Sequence, residues 1–232
     1  MFQFQGIWLP DGEKHFPEWM AKNGELVDGR GTYQIKKWRA CLPRIKRWRV
    51  AIDVGSHVGL WSLQMAKRFA LVHAFEPVAD FRACFERNVN PDHAQDVSGM
   101  AETKGVILHE CALGAAPGRV VMKIPPLDGG LDTGGTHVCG EGDIEMRTLD
   151  SFDFQDVDFL KIDCEGYEHY VIAGARETLL RCKPCVIVEQ KPHKLGPNFG
   201  IQGTPAVDLL RSLGAHLRTV ISGDYIFAWD PD

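Results

Sequence analysis

The sequence predicts an α/β domain built on a mostly parallel sheet, and three observations predict it. Short apolar runs rich in β-branched residues recur along the chain, the first at Val50-Ala51-Ile52. Segments with apolar residues at helical spacing separate these runs, as at Phe81, Cys84, Phe85 and Val89. Acids fall where the runs end: Asp53, Glu76, Asp163 with Glu165, and Glu189. Alternating strands and helices are the pattern of βαβ units.

Composition bounds the reading. A chain of 232 residues, 44% hydrophobic, suits one α/β domain with an extension. Its net charge of −5 argues against a protein held to nucleic acid by overall charge. Seven scattered cysteines, an odd number, form no pairing framework, which suggests a reducing, cytoplasmic setting. The N-terminal stretch lacks the basic-then-apolar pattern of a signal peptide. No apolar run approaches the roughly 18 residues of a membrane span.

Residues 1–49 form a compositional zone of their own, and residues 50–232 the main domain. Trp8, Trp19, Trp38 and Trp48 lie in the first zone, with seven basic residues and no acid between Lys36 and Arg49. This zone reads as a cap whose tryptophans pack on the sheet while its cations stay solvated. The alternative is a basic, aromatic surface for an anionic substrate or nucleic acid.

The first strand runs into Asp53, Gly55 and Gly59, a strand–turn–helix start. Leu60–Phe69 reads as a helix, Leu71–Phe75 as a strand ending in Glu76-Pro77, and Val78–Val89 as a helix broken by Asn90-Pro91. Residues 91–104 read as a polar loop. Val106–Leu108 is a third strand, and Arg119–Ile124 an extra one. The glycine-rich stretch 125–143 reads as a binding loop or lid, or equally as a surface insertion. A short strand at Ile144–Arg147 and a buried one at Val157–Ile162 follow. Tyr167–Leu180 reads as one helix, Pro184–Val188 as a strand ending in Glu189, and 191–203 as a loop. Thr204–Leu213 is a helix with a Thr-Pro start, and the segments His216–Ile221 and Tyr225–Trp229 form a terminal hairpin.

Ligands of open parallel sheets bind outside the carboxyl ends of the strands. The Asp53–Gly55–Gly59 turn lacks the middle glycine of the dinucleotide fingerprint and carries an acid in front. That suits a ligand with an amino group and no phosphate. Glu76, which ends the second strand, stands where an acid grips both hydroxyls of a ribose. Ribose plus amino acid without phosphate points to S-adenosylmethionine. The structural alternative is that both acids are helix-cap or surface residues.

At this point a resemblance carries further. Ile52-Asp53-Val54-Gly55-Ser56-His57-Val58-Gly59, Ala74-Phe75-Glu76-Pro77, Ala112-Leu113-Gly114 and Thr148-Leu149-Asp150 are four of its pieces. Leu160 through Glu168 and Pro184 through Glu189 complete it. In this order the chain resembles the FkbM family of S-adenosylmethionine-dependent methyltransferases. The resemblance implies a Rossmann-like class I methyltransferase fold: a mostly parallel seven-stranded sheet with a C-terminal β-hairpin. It also implies methyl transfer, often to a hydroxyl of a sugar or natural product. His57 departs from the family, which usually has asparagine there. Residues 1–49 fall outside the match.

By position, the resemblance assigns Asp53, Gly55 and Gly59 to the methionine half of the cofactor, with His57 also counted among the cofactor-binding residues. Glu76, with Pro77, takes the ribose, and Cys111 and Ala112 border the adenine. Asp163 and Glu165 lie beside the methyl group and acceptor. An acid there could take the acceptor's proton, with Lys161 or His193 as alternatives. The competing reading is that Asp163 and Glu165 only cap the next helix. Cys182 and Cys185 have redox-motif spacing, but at a helix end, where a thiolate gains no activation. No histidine or cysteine spacing predicts a metal site.

The expected function is therefore S-adenosylmethionine-dependent O-methylation of a small polar acceptor or a glycan. One alternative is a nucleic-acid methyltransferase that uses the basic segment 36–49. The other is a non-catalytic domain that binds the cofactor or a nucleoside.

Overall fold

The computed structural model describes residues 1–89, 105–191 and 199–230. Its centre is a seven-stranded sheet. The strands are β1 (Val50–Val54), β2 (Leu71–Phe75), β3 (Val106–His109), β4 (Val157–Ile162), β5 (Cys185–Glu189), β6 (His216–Ile221) and β7 (Asp224–Ala228). They lie in the order β6-β7-β5-β4-β1-β2-β3. Strands β1 to β5 run parallel; β7 is antiparallel to both β5 and β6, the expected terminal hairpin. The chain winds outward from β1 to β3, then returns to lay β4 on the other flank of β1. The crevice between the carboxyl ends of β1 and β4 is thus the switch point of the sheet.

Side-chain alternation divides the core. Ala51, Val72, Phe159, Ile187 and Ile226 face one side. They are covered there by α2 (Ile35–Cys41) and α3 (Leu60–Ala66) through Ile35, Trp38, Trp61 and Met65. Ile52, Leu160, Ile162, Val186 and Phe227 face the other. Their cover comes from α5 (Glu168–Ala173), α6 (Arg176–Cys182) and α7 (Pro205–Ser212). Both faces of β1, β4 and β5 are buried, which is why these strands are almost wholly apolar.

The N-terminal residues include a two-stranded hairpin (Phe2–Phe4 with Ile7–Leu9) and α1 (His15–Asn23). Trp38 meets Trp61 and Phe159 edge-on at 6.0 and 5.5 Å, so α2 is a layer of the sandwich. Asn88, near the end of α4 (Ala79–Val89), ties the hairpin down. It exchanges hydrogen bonds with the Trp8 main chain at 2.8 and 2.9 Å and donates to the Val58 carbonyl at 2.8 Å.

Three expectations are corrected. The helix read over Tyr167–Leu180 is two, α5 and α6. The Gly174 carbonyl accepts from Asp150 N at 3.0 Å, and a Cβ on Gly174 would lie 2.0 Å from the Gly114 carbonyl oxygen. The Asp150 carboxylate then starts α6 afresh by accepting from Glu177 N and Thr178 N. The strand read over Arg119–Ile124 is also two, Gly118–Val120 and Met122–Lys123. They pair with Ile144–Arg147 and His137–Val138 respectively. Finally, the stretch 125–143 is an ordered strap with a small hairpin (Pro126–Leu127 with Gly130–Leu131) and a helical turn at Thr133–Gly135. The loop expected at 91–104, most of that at 191–203, and His193 lie outside the described residues. No helix among the described residues is long and apolar enough to cross a membrane. All seven cysteines are unpaired.

Candidate functional site

The turn after β1 is built by register and by glycine. Asp53 and Lys161 are neighbours across β1 and β4. On the face under α3 they form an ion pair at 3.1 Å, with the Ser62 hydroxyl donating to Asp53 at 2.7 Å. The Lys161 ammonium also donates to the carbonyls of Val54 (3.2 Å) and Gly55 (2.7 Å), pinning the turn. Burial pulls Lys161 down, but Asp53 and Asp163 outweigh it and hold its pKa above the ordinary value. Gly55 has φ +70°, and a Cβ there would lie 2.0 Å from the Asp163 carbonyl oxygen. Only glycine lets β1 and β4 approach this closely.

A cavity opens beyond the turn, at the carboxyl ends of the strands, where open parallel sheets bind small molecules. Its walls include Gly55, His57, Glu76, Pro77, Asp163 and Glu165. Cys111 and Ala112 lie farther along, with Thr133, Gly134, Thr136 and Val138 of the strap on the remaining side. The structure therefore gathers eight of the eleven expected site residues. The other three stand behind the wall. Asp53 is fully buried and points beneath α3, not into the cavity. Gly59 starts α3, and a Cβ there would strike Val89 and Phe85 of α4, so its role is helix packing. Lys161, its ammonium committed to the turn and its proton firmly held, is not placed to serve as a base.

Glu76 is the best-defined group of the site. Its two oxygens accept main-chain N–H bonds from His57 (2.9 Å) and Val78 (2.8 Å). Burial pushes its carboxyl up to about 7, against the pull of those N–H groups. His57 has φ +51°, lies flat on Phe16 at 4.8 Å and meets Phe81 at 4.5 Å. Burial, aided by Lys161, pulls it down to about 3, so the ring is neutral.

Acids crowd the carboxyl ends of β4 and β5. Asp163, Glu168 and Glu189 each bring one oxygen within 4.8 Å of the others, a spacing that could hold a cation. Glu168 also accepts from the N–H groups of Cys164 and Gly166, and burial pushes its carboxyl up to about 7. Burial and the nearby Asp163 and Glu189 hold the Tyr33 phenol above its usual range. Sequence reasoning missed Tyr33, Glu168 and Thr133. The first and last lie outside any motif, and only the packing of the N-terminal segment and strap brings them here.

The basic run is largely neutralised within the molecule. Lys37 pairs with Asp224 at 2.7 Å and Arg39 with Glu25 at 2.8 Å. Lys46 pairs with Asp230, and Arg49 with Asp156 and Asp158. Among the described residues this leaves Lys36, Arg44 and Arg47 without an ion pair.

A family model described as the methyltransferase FkbM domain matches residues 53–219. The chain belongs to the FkbM methyltransferase family. The match runs from Asp53 through the acids of β4 and β5 and ends within β6. No curated protein sequence matches the chain significantly. Among solved structures, it is similar to an FkbM methyltransferase from Methylobacillus flagellatus KT at 18% identity and TM-score 0.49. That alignment covers 79% of this chain and 44% of the other, so this FkbM chain spans less than half of that relative. It is also similar to a precorrin-6y C5,15-methyltransferase from Geobacter metallireducens GS-15 (14% identity, 86% and 93% coverage, TM-score 0.49). A third is magnesium protoporphyrin IX methyltransferase from Synechocystis PCC 6803, solved with bound SAM (11% identity, 83% and 74% coverage, TM-score 0.43).

Proposed function

We propose that this FkbM-family chain is an S-adenosylmethionine-dependent methyltransferase acting on an oxygen of a small polar acceptor or a glycan. The observation that carries the reading is the Glu76 carboxylate at the cavity wall. Each of its oxygens already accepts one main-chain N–H. An ionised carboxylate offers about four acceptor positions, so two remain for a vicinal diol. A ribose placed there lies at the carboxyl ends of β1 and β2, beside the switch point where open α/β folds hold nucleosides.

In this reading Gly55 and His57 border the methionine half, Cys111 and Ala112 the adenine, and Asp163 and Glu165 the reacting end. When bound, the sulfonium supplies an electrophilic methyl group. The chain's own contribution is alignment, with Asp163 taking the proton that the acceptor hydroxyl loses. Tyr167, tilted on Tyr170 at 4.5 Å and on Phe199 at 5.4 Å, sets an aromatic face beside these acids. Aromatic rings next to carboxylates suit a polyhydroxylated ring, which supports the glycan class of acceptor.

The test is calorimetry with S-adenosylhomocysteine on the full chain and on Glu76→Gln. Binding by the parent chain that weakens in the variant is expected. Absence of binding by the parent chain would overturn the reading.

A further inference from the structure

The strap over the cavity and the N-terminal segment meet at one buried carboxylate. Glu13 is 3% exposed and accepts from three donors. Oε1 accepts from Phe16 N at 2.6 Å, and Oε2 accepts from Thr133 N at 2.9 Å and from the Thr133 hydroxyl. Main-chain bonds between Gly12, Lys14 and Leu131 hold the two segments in register on either side of this contact. The Thr133 hydroxyl has one proton, and Glu13 takes it. Its oxygen lies 2.8 Å from Nε2 of His57. With its proton spent, that oxygen can only accept, so Nε2 carries the hydrogen and Nδ1 is bare. Nδ1 is buried and has no hydrogen-bond partner among the described residues. Phe16, next to the same carboxylate, stacks on the His57 ring and blocks its rotation.

We propose that Glu13 and Thr133 are positioning residues of the cofactor site, forming a relay that fixes His57 in the Nε2–H tautomer. His57 thereby offers Nδ1 as an acceptor to an N–H or O–H donor of the adenosyl ligand. The inference rests on the function proposed above. It gives the N-terminal segment a task that the family match, which begins at Asp53, does not cover. It also accounts for a buried acceptor without a partner among the described residues, on a residue that lines the cavity, a rare feature that calls for a partner. A glutamine at position 13 could not substitute. Its amide group would set N–H against a main-chain N–H whichever way it is turned, because both Glu13 oxygens face such donors.

The tautomer is read directly from ring-nitrogen chemical shifts of the full chain labelled with ¹⁵N-histidine. The expected result is Nε2–H for His57, lost in Thr133→Val and restored in Thr133→Ser. Calorimetry should show S-adenosylhomocysteine binding weakened about tenfold in Thr133→Val and Glu13→Gln, with Thr133→Ser near the parent value. Methylthioadenosine, which lacks the amino-acid half, distinguishes the donors. If the ligand's ammonium meets Nδ1, Thr133→Val weakens only the homocysteine compound. If a ribose hydroxyl does, both weaken. An Nδ1–H tautomer in the parent chain would overturn the proposal without any variant having to fold. So would folded variants that bind with unchanged affinity. A parent chain that binds neither compound would instead count against the proposed function.

Discussion

The main-chain N–H of His57 donates to the Glu76 carboxylate at 2.9 Å, joining the turn after β1 to the end of β2. The turn cannot move without disturbing the acid proposed to hold the ribose. The acid cannot lose a proton acceptor without leaving a main-chain N–H unpaired.

Glu76→Gln should therefore weaken S-adenosylhomocysteine by about 10- to 100-fold, because the amide opposes one of two N–H donors. It should also change the pH dependence of stability. Burial raises the Glu76 carboxyl from 4.5 to about 7 in the folded state, so the folded chain holds this proton more tightly than the unfolded chain. The associated stabilisation is full below about pH 4.5 and is lost as pH rises through about 7. The stability of Glu76→Gln relative to the parent should thus rise between pH 5 and 8, by up to about 3 kcal/mol. Thermal melts across that range decide it; a constant difference would show that Glu76 titrates normally.

Asp163→Asn should reduce methyl transfer by at least about 100-fold, the scale of general-base catalysis. Affinity for S-adenosylhomocysteine should stay within about threefold, since the base acts on the acceptor. Single-turnover rates beside calorimetry separate the two, and a near-parent rate would remove Asp163 from the role.

Lys161→Met strands the Asp53 carboxylate in the core. Breaking a buried pair from one side typically costs about 3–5 kcal/mol. Urea unfolding should show that loss, with partial recovery in the double variant Lys161→Met/Asp53→Asn. Equal stability of the two variants would mean that the ion pair does not hold the turn.

Gly55→Ala and Gly140→Ala form a matched pair. Both glycines have positive φ, but a Cβ at Gly140 meets open space, whereas one at Gly55 lies 2.0 Å from the Asp163 carbonyl oxygen. Gly140→Ala should cost about 1–2 kcal/mol, the ordinary left-handed penalty. Gly55→Ala should cost distinctly more and abolish cofactor binding. Similar losses at the two sites would show that conformation alone, without the close approach, demands glycine at position 55.

The strands of the main sheet were legible because burial on two faces writes itself as short, predominantly apolar runs. Leu71–Phe75 and Val157–Ile162 were read to the residue. The acids were legible for a related reason: they interrupt or end those runs near the strands' carboxyl ends. What each acid does was not. Asp53 and Glu76 look alike in sequence, yet one is locked under α3 by Lys161 and Ser62 while the other faces the cavity. The split of α5 from α6 was hidden because its cause, Asp150, lies more than twenty residues upstream.

The sequence by itself determined the alternation of elements, the acids at the rim and the family, all of which depend on residue type and local spacing. Only the tertiary structure decided which acid looks inward, that Lys161 is a clamp on the turn, and that Glu13 and Thr133 reach His57. Those outcomes depend on strand register and on contacts such as Glu13 to Thr133, 120 positions apart, which no local pattern encodes.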